Sequence, residues 1–179
     1  MEIDWEVEIG GGAPVIEAHW PGFIDLRSHP GRIAEVTEAA PFPALASLLL
    51  ALNGAESPLW TAKCDLFEPE PMALACYIDL LPVEGRVFEH WQGAEVFCRE
   101  WVARLALLAA PECRPECSIA LIVRQAVAGD AEGFGVTAYL CAAGTDRNSS
   151  AEGLAAALAG FEDAVPRVSP PGTADSKLQ

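Results

Sequence analysis

Basic residues are scarce in this chain. Its 179 residues hold two lysines, Lys63 and Lys177, and nine arginines against 26 acids, for a net charge of −15 at pH 7. Sequence-independent affinity for nucleic acids and anionic membranes comes from clustered Lys and Arg. The arginines here stand singly, so neither partner is expected. The acidity is uneven, net −11 over residues 1–90 and −4 over residues 91–179. It leaves a basic partner open and otherwise serves solubility.

Long apolar runs are also missing. The longest, Ala44 to Leu52, falls far short of the roughly 20 residues that span a bilayer. Met1 to Glu6 carries neither a basic region nor an apolar stretch, so it does not read as a secretory signal, and a cytoplasmic protein is expected. There is no Gly-rich phosphate loop ahead of a helix, no GxSxG, no HExxH and no EF-hand loop. No CxxC or HxxxH spacing occurs either, so no metal and no cofactor is expected.

What the chain has is material for a core. Apolar residues make up 51% and charged residues 21%, the balance of an ordinary folded protein and not of a disordered one. The length predicts a single domain over residues 1–165. A compositionally disordered tail, with Ser169-Pro170-Pro171-Gly172, follows over residues 166–179. Six cysteines in a chain that can build a core read as thiols, with Cys64, Cys76, Cys98 and Cys141 inside apolar-periodic segments. Cys113 and Cys117 share a Pro-containing loop and are the one pair that redox chemistry would join.

Periodicity divides the chain into three stretches, each of two strands and a helix. In the first, Ile3, Trp5, Val7 and Ile9 alternate with acids, the mark of a half-buried strand. Gly10 to Pro14 forms a turn, and a second strand runs from Val15 to Leu26, bent at Pro21-Gly22. A short helical turn follows Pro30. Then comes a helix opened by Pro41 and Pro43, with Leu45, Leu48, Leu49 and Leu52 as its apolar stripe.

The second stretch pairs Leu59 to Phe67 with Ala73 to Leu81. Its helix, Trp91 to Ala109, places Ala94, Phe97, Cys98, Trp101, Leu105 and Leu108 on one face, with Glu95/Arg99 and Glu100/Arg104 as i,i+4 pairs. The third has Ser118 to Val127 and Phe134 to Ala142 around a Gly129–Gly133 loop. Both strands are apolar on both sides and therefore central. Ser149 to Glu152 reads as a capping box for a helix with Leu154, Ala157, Leu158 and Phe161 buried.

The fold expected is an α+β two-layer sandwich, a sheet of about six mostly antiparallel strands with helices packed on one face. The alternative is a ferredoxin-like core over residues 15–128 with strands added at its edges.

Pairing the second hairpin across its five-residue loop sets Lys63 opposite Tyr77 and Asp65 opposite Ala75. Lys63, Asp65, Tyr77 and Asp79 then share the sheet face away from the helices. Tyr139, Thr137 and Gln125 are candidates to join them. One lysine among carboxylates and tyrosines is a ligand-binding arrangement and equally a set of cross-strand pairs on a wet sheet. Trp20, Phe23 and Arg27, an aromatic pair at a strand bend with an arginine nearby, are the residue types that anchor a partner. His19, His29 and His90 have no partner at catalytic spacing, so no catalytic residue is assigned.

Two functions are therefore carried forward. The first is a non-enzymatic module that binds a protein partner or forms a homo-oligomer, including an inhibitor or immunity-type protein for a basic partner. The alternative is an enzyme or sensor that takes a small-molecule ligand on the open sheet face.

Overall fold

The computed structural model of the protein describes residues 1–108 and 117–166. The six strands are β1 (Glu2–Val7), β2 (Val15–Ala18), β3 (Leu59–Phe67), β4 (Ala73–Pro82), β5 (Cys117–Ala128) and β6 (Ala131–Ala143). The helices are α1 (Pro43–Leu52), α2 (Trp91–Leu108) and α3 (Arg147–Ala164), with a 3-10 turn over Pro30–Glu35. The strands form one mostly antiparallel sheet in the order β1-β5-β6-β4-β3, with β2 also paired to β5. The three helices pack on one face of it, giving the two-layer α+β sandwich. Because β6 lies between β4 and β5, the ferredoxin-like alternative, which would seat β2 there, is not the arrangement.

The helix-side core follows the alternation of the strands. Cys76, Ile78 and Leu80 of β4, Ile119, Leu121 and Val123 of β5, and Val136, Ala138 and Leu140 of β6 are all buried there. Against them lie Leu45, Leu48, Leu49 and Leu52 of α1 and Leu154, Ala157, Leu158 and Phe161 of α3, as the periodicity requires. In α2 the buried stripe ends at Leu105, and Leu108 is 53% exposed because the last turn runs past the sheet. The Glu95–Arg99 pair forms. Glu100 and Arg104 form no ion pair within 4 Å among the described residues. Asn53 ties the end of α1 to the sheet, donating from Nδ2 to Thr61 Oγ1 at 2.7 Å and accepting from the Thr61 N–H at 3.2 Å.

Several local expectations are corrected. The second strand stops at Ala18, because His19 turns into the left-handed region at φ 64° and Gly22 follows at φ 98°. The glycines after β1 do not reverse the chain. Both β1 and β2 run parallel to β5, against Ser118–Val123 and Gln125–Ala128, as two pieces of one edge. The β5–β6 connection is the two-residue turn Gly129-Asp130 and not a five-residue loop, with Gly129 at φ 68° supplying the conformation that tight hairpins need. The capping box of α3 starts three residues earlier, with Asp146 as N-cap accepting from the Ser149 N–H. In the second hairpin Lys63 faces Asp79 and Asp65 faces Tyr77, two residues out from the expected register. Ala73 and Leu74 pair with β6 alone, which lengthens the connection. A slip of two keeps Lys63, Asp65, Tyr77 and Asp79 on one face. The bulge between Thr61 and Lys63 changes the parity of the first half of β3, so Trp60 and Ala62 lie on the concave side with Lys63 instead of on the helix side with Cys64. The Cys113–Cys117 pairing and the tail from 167 lie outside the described residues.

Candidate functional site

The face of the sheet away from the helices is concave. β2 and β3 sit at opposite edges, yet they approach within 8 Å between Cα atoms, so the sheet curls over on itself at that end. A second apolar cluster fills the curl: Ile16, Trp60, Ala62, Leu81, Val87, Ala126 and Ala128. The approach is possible because β6 carries glycine at 133 and 135. A Cβ on Gly135 would lie 2.7 Å from Leu81 Cδ2 and 2.9 Å from Ile16 Cδ1, and one on Gly133 would collide with the Phe88 carbonyl oxygen.

The segment after β2 closes the curl. Trp20 Nε1 donates to the Ala62 carbonyl at 3.2 Å, while Phe23 meets Trp60 edge-on at 6.0 Å between ring centroids. The Arg27 guanidinium lies over the Trp60 ring at 4.2 Å and pairs with Asp25 at 3.3 Å. Trp20, Phe23 and Arg27 thus share one intramolecular cluster around Trp60, with Trp20 still 40% exposed.

Beside that plug lies a polar cavity of about 470 Å³ between Pro14–Glu17, Trp20, Lys63, Tyr77, Asp79, Arg124 and Tyr139. Four of the five ligand-binding candidates, Lys63, Tyr77, Asp79 and Tyr139, therefore line one space, together with Trp20. The register orders them. Lys63, Asp79 and Thr137 form one row across β3, β4 and β6, and Asp65, Tyr77 and Tyr139 form the next. Asp65 shares the face and lies outside the lining. Gln125 does not join, because its β5 neighbours Arg124 and Ala126 take the concave side.

Arg124 is the residue that periodicity missed. β5 is apolar on both faces, so alternation could not say which side it takes. The available signal was a single charge inside a central strand, which requires partners when buried. Those partners are Glu8 Oε2 at 2.7 Å from Nη2 and the Tyr139 hydroxyl, which accepts from Nη1 at 3.3 Å.

Against known proteins, the chain matches no family model, no curated protein and no solved structure.

The electrostatics follow from this geometry. Asp79 is buried, and desolvation raises its pKa against the opposing hydrogen bond from Thr137 Oγ1 and the charges of Arg124 and Lys63. That hydrogen bond, at 2.6 Å to Oδ1, is the one the carboxylate accepts from a side chain among the described residues. Lys63 is exposed at the mouth, 5.9 Å from the Tyr77 ring centroid. Its pKa is raised first by the Tyr77 hydroxyl and then by Asp79 and Asp65. Burial raises Tyr77, with Lys63 pulling the other way. For Arg124, burial works to lower the pKa, and the hydrogen bonds to Tyr139 and Glu8 outweigh it.

Three of the thiols add no nucleophile. Burial pushes Cys64, Cys76 and Cys98 up to about 12, so none is a thiolate at neutral pH. His19 meets Phe23 edge-on at 5.1 Å and lies tilted against Trp60 at 5.8 Å between ring centroids. Among the described residues no three His, Cys, Asp or Glu side chains converge on a metal position, and no helix is long and apolar enough to cross a membrane. A larger, shallow groove of about 1220 Å³ runs beside Pro58, Val83, Phe88 and Phe97. It has no buried charge facing into it.

Proposed function

We propose that the protein binds a small polar molecule in the cavity on the concave face of the sheet. One observation carries this reading. Lys63 and Asp79 are cross-strand neighbours facing the same space, and they form no ion pair within 4 Å among the described residues. Two opposite charges left unpaired beside one another, with aromatic walls on either side, are poised for a third group. A volume of about 470 Å³ falls within the roughly 300–1,000 Å³ of small-molecule sites.

Native mass spectrometry at low salt tests this directly. Wild-type protein is expected to carry a small additional mass that is lost in Asp79→Asn and in Tyr139→Ala, with circular dichroism unchanged. Protein that carries no such mass, and shows no thermal shift across a library of polar metabolite-sized compounds, would rule the pocket out.

The reading of a protein-binding or self-associating module retains one support. Glu2, Asp4 and Glu6 line the exposed side of β1 without an ion-pair partner among the described residues, which suits a basic protein. The apolar concave side of the β5–β6 hairpin offers it no surface at the curled end, where β2, Trp60 and Val87 of the chain itself cover it. Ionic strength separates the two readings. A basic partner held by those carboxylates dissociates as salt rises, whereas a ligand in a partly enclosed cavity responds far less.

A further inference from the structure

We infer that the cavity is built for a zwitterion of the α-amino-acid type, an inference that rests on the small-molecule reading above. The two central charges are engaged by different neighbours. Asp79 is turned toward β6 by Thr137, whose hydroxyl donates to Oδ1 at 2.6 Å. Lys63 reaches across to the next row of β4, its ammonium 5.9 Å from the Tyr77 ring centroid. The register places them opposite one another on adjacent strands, and such pairs have Cβ atoms about 4.5–5.5 Å apart. The cavity therefore presents a buried anion and an exposed cation on neighbouring strands, with no ion pair within 4 Å between them among the described residues. The complementary ligand carries a cation and an anion of its own within one small molecule. An ammonium and a carboxylate on one carbon meet that requirement, the ammonium against Asp79 and the carboxylate against Lys63.

The charge balance of the lining agrees. Its ionisable side chains are Lys63 and Arg124 against Asp79 and Glu17, besides the two tyrosines, and Arg124 is already paired with Glu8, so the lining offers charges of both signs and no excess of cations. A net anion would be opposed by the −15 of the whole chain. A simple cation would leave Lys63 without a counterpart. The remaining walls, Trp20, Tyr77, Tyr139 and Val15, are aromatic or apolar and suit the body of an apolar or aromatic amino acid.

Calorimetric titration with three matched probes tests the inference: L-phenylalanine, phenethylamine, which lacks the carboxylate, and 3-phenylpropionate, which lacks the amine. The probe set is extended to the other common L-amino acids by thermal shift. Wild-type protein is expected to bind at least one amino acid at least tenfold more tightly than its amine and acid counterparts. Asp79→Asn should weaken the amino acid and the amine tenfold or more and leave the acid unchanged, and Lys63→Gln should do the converse.

Equal affinity for the amine and the amino acid, or for the acid and the amino acid, would overturn the zwitterion while leaving the pocket standing. The same holds if no amino acid binds but native mass spectrometry still shows a retained mass that Asp79→Asn loses. If no amino acid binds and no mass is retained, the inference and the reading beneath it fall together. Both variants are checked for a single cooperative melt.

Discussion

Asp79 shows how one side chain serves opposite ends. Its burial costs stability when it is ionised, and the same burial makes it a strong acceptor for a ligand's ammonium. Because its folded pKa lies above the ordinary aspartate value, the native state holds this proton to higher pH than the unfolded chain does. The stability that goes with that proton is fully present at low pH and is lost as pH rises through the folded pKa. Asp79→Asn has no such dependence and keeps an acceptor for Thr137. Denaturant melts at a series of pH values should show the variant gaining on wild type as pH climbs from about 4 through the raised pKa, then holding its lead. Parallel curves would mean that burial does not perturb Asp79. Arg124 makes the converse case. Arg124→Met removes the charge-assisted bonds to Glu8 and Tyr139 and should cost about 1–3 kcal/mol, measured by denaturation at neutral pH.

Among the elements, β6 decides the shape of the concave face. Its glycines at 133 and 135 have no side chain to hold off Val87, Leu81 and Ile16, so the 85–88 segment and β2 come down onto the strand. Gly133→Ala sets a methyl against the backbone carbonyl of Phe88, where no side-chain movement relieves it. A loss of about 1–3 kcal/mol is expected. Gly135→Ala meets two flexible side-chain ends as well as the Leu80 carbonyl and should cost less. Equal, negligible effects at both positions in thermal melts would contradict this account of the curl.

The strands themselves were readable in the sequence wherever alternation was clean. β3 and β4 appear at their expected places, and Lys63, Tyr77 and Asp79 share a face as alternation predicts, although the bulge between Thr61 and Lys63 breaks the alternation earlier in β3. Pairing partners were less readable, because the connection after Phe67 spans more residues than the Pro-rich stretch implies. The direction of β1 against β5 was not readable at all, since parallel pairing joins residues more than a hundred positions apart.

For the whole molecule, the sheet has a centre and two unequal edges. β5 and β6 are paired on both sides and buried against α2 and α3, whereas β1 is a six-residue edge strand with an acidic outer face. Local opening should follow that order. Amide hydrogen exchange is expected to be slowest in β5, β6 and β4 and clearly faster in β1 and β2. Equal protection of β1 and β6 would mean that the acidic edge is covered in solution, which would favour the partner-binding reading.

The sequence by itself determined the number and kind of elements, the acidic character of the chain and the shared face of Lys63, Tyr77 and Asp79. These rest on local period and composition, which need no knowledge of neighbours. Tertiary structure alone decided that the sheet curls, that Trp20 reaches Ala62, and that Arg124 and Glu17 join Lys63 and Asp79 around one cavity. Those outcomes depend on contacts between residues far apart in the chain. They also depend on the missing Cβ atoms at Gly133 and Gly135, whose effect appears only once β2 and the 85–88 segment are brought against them.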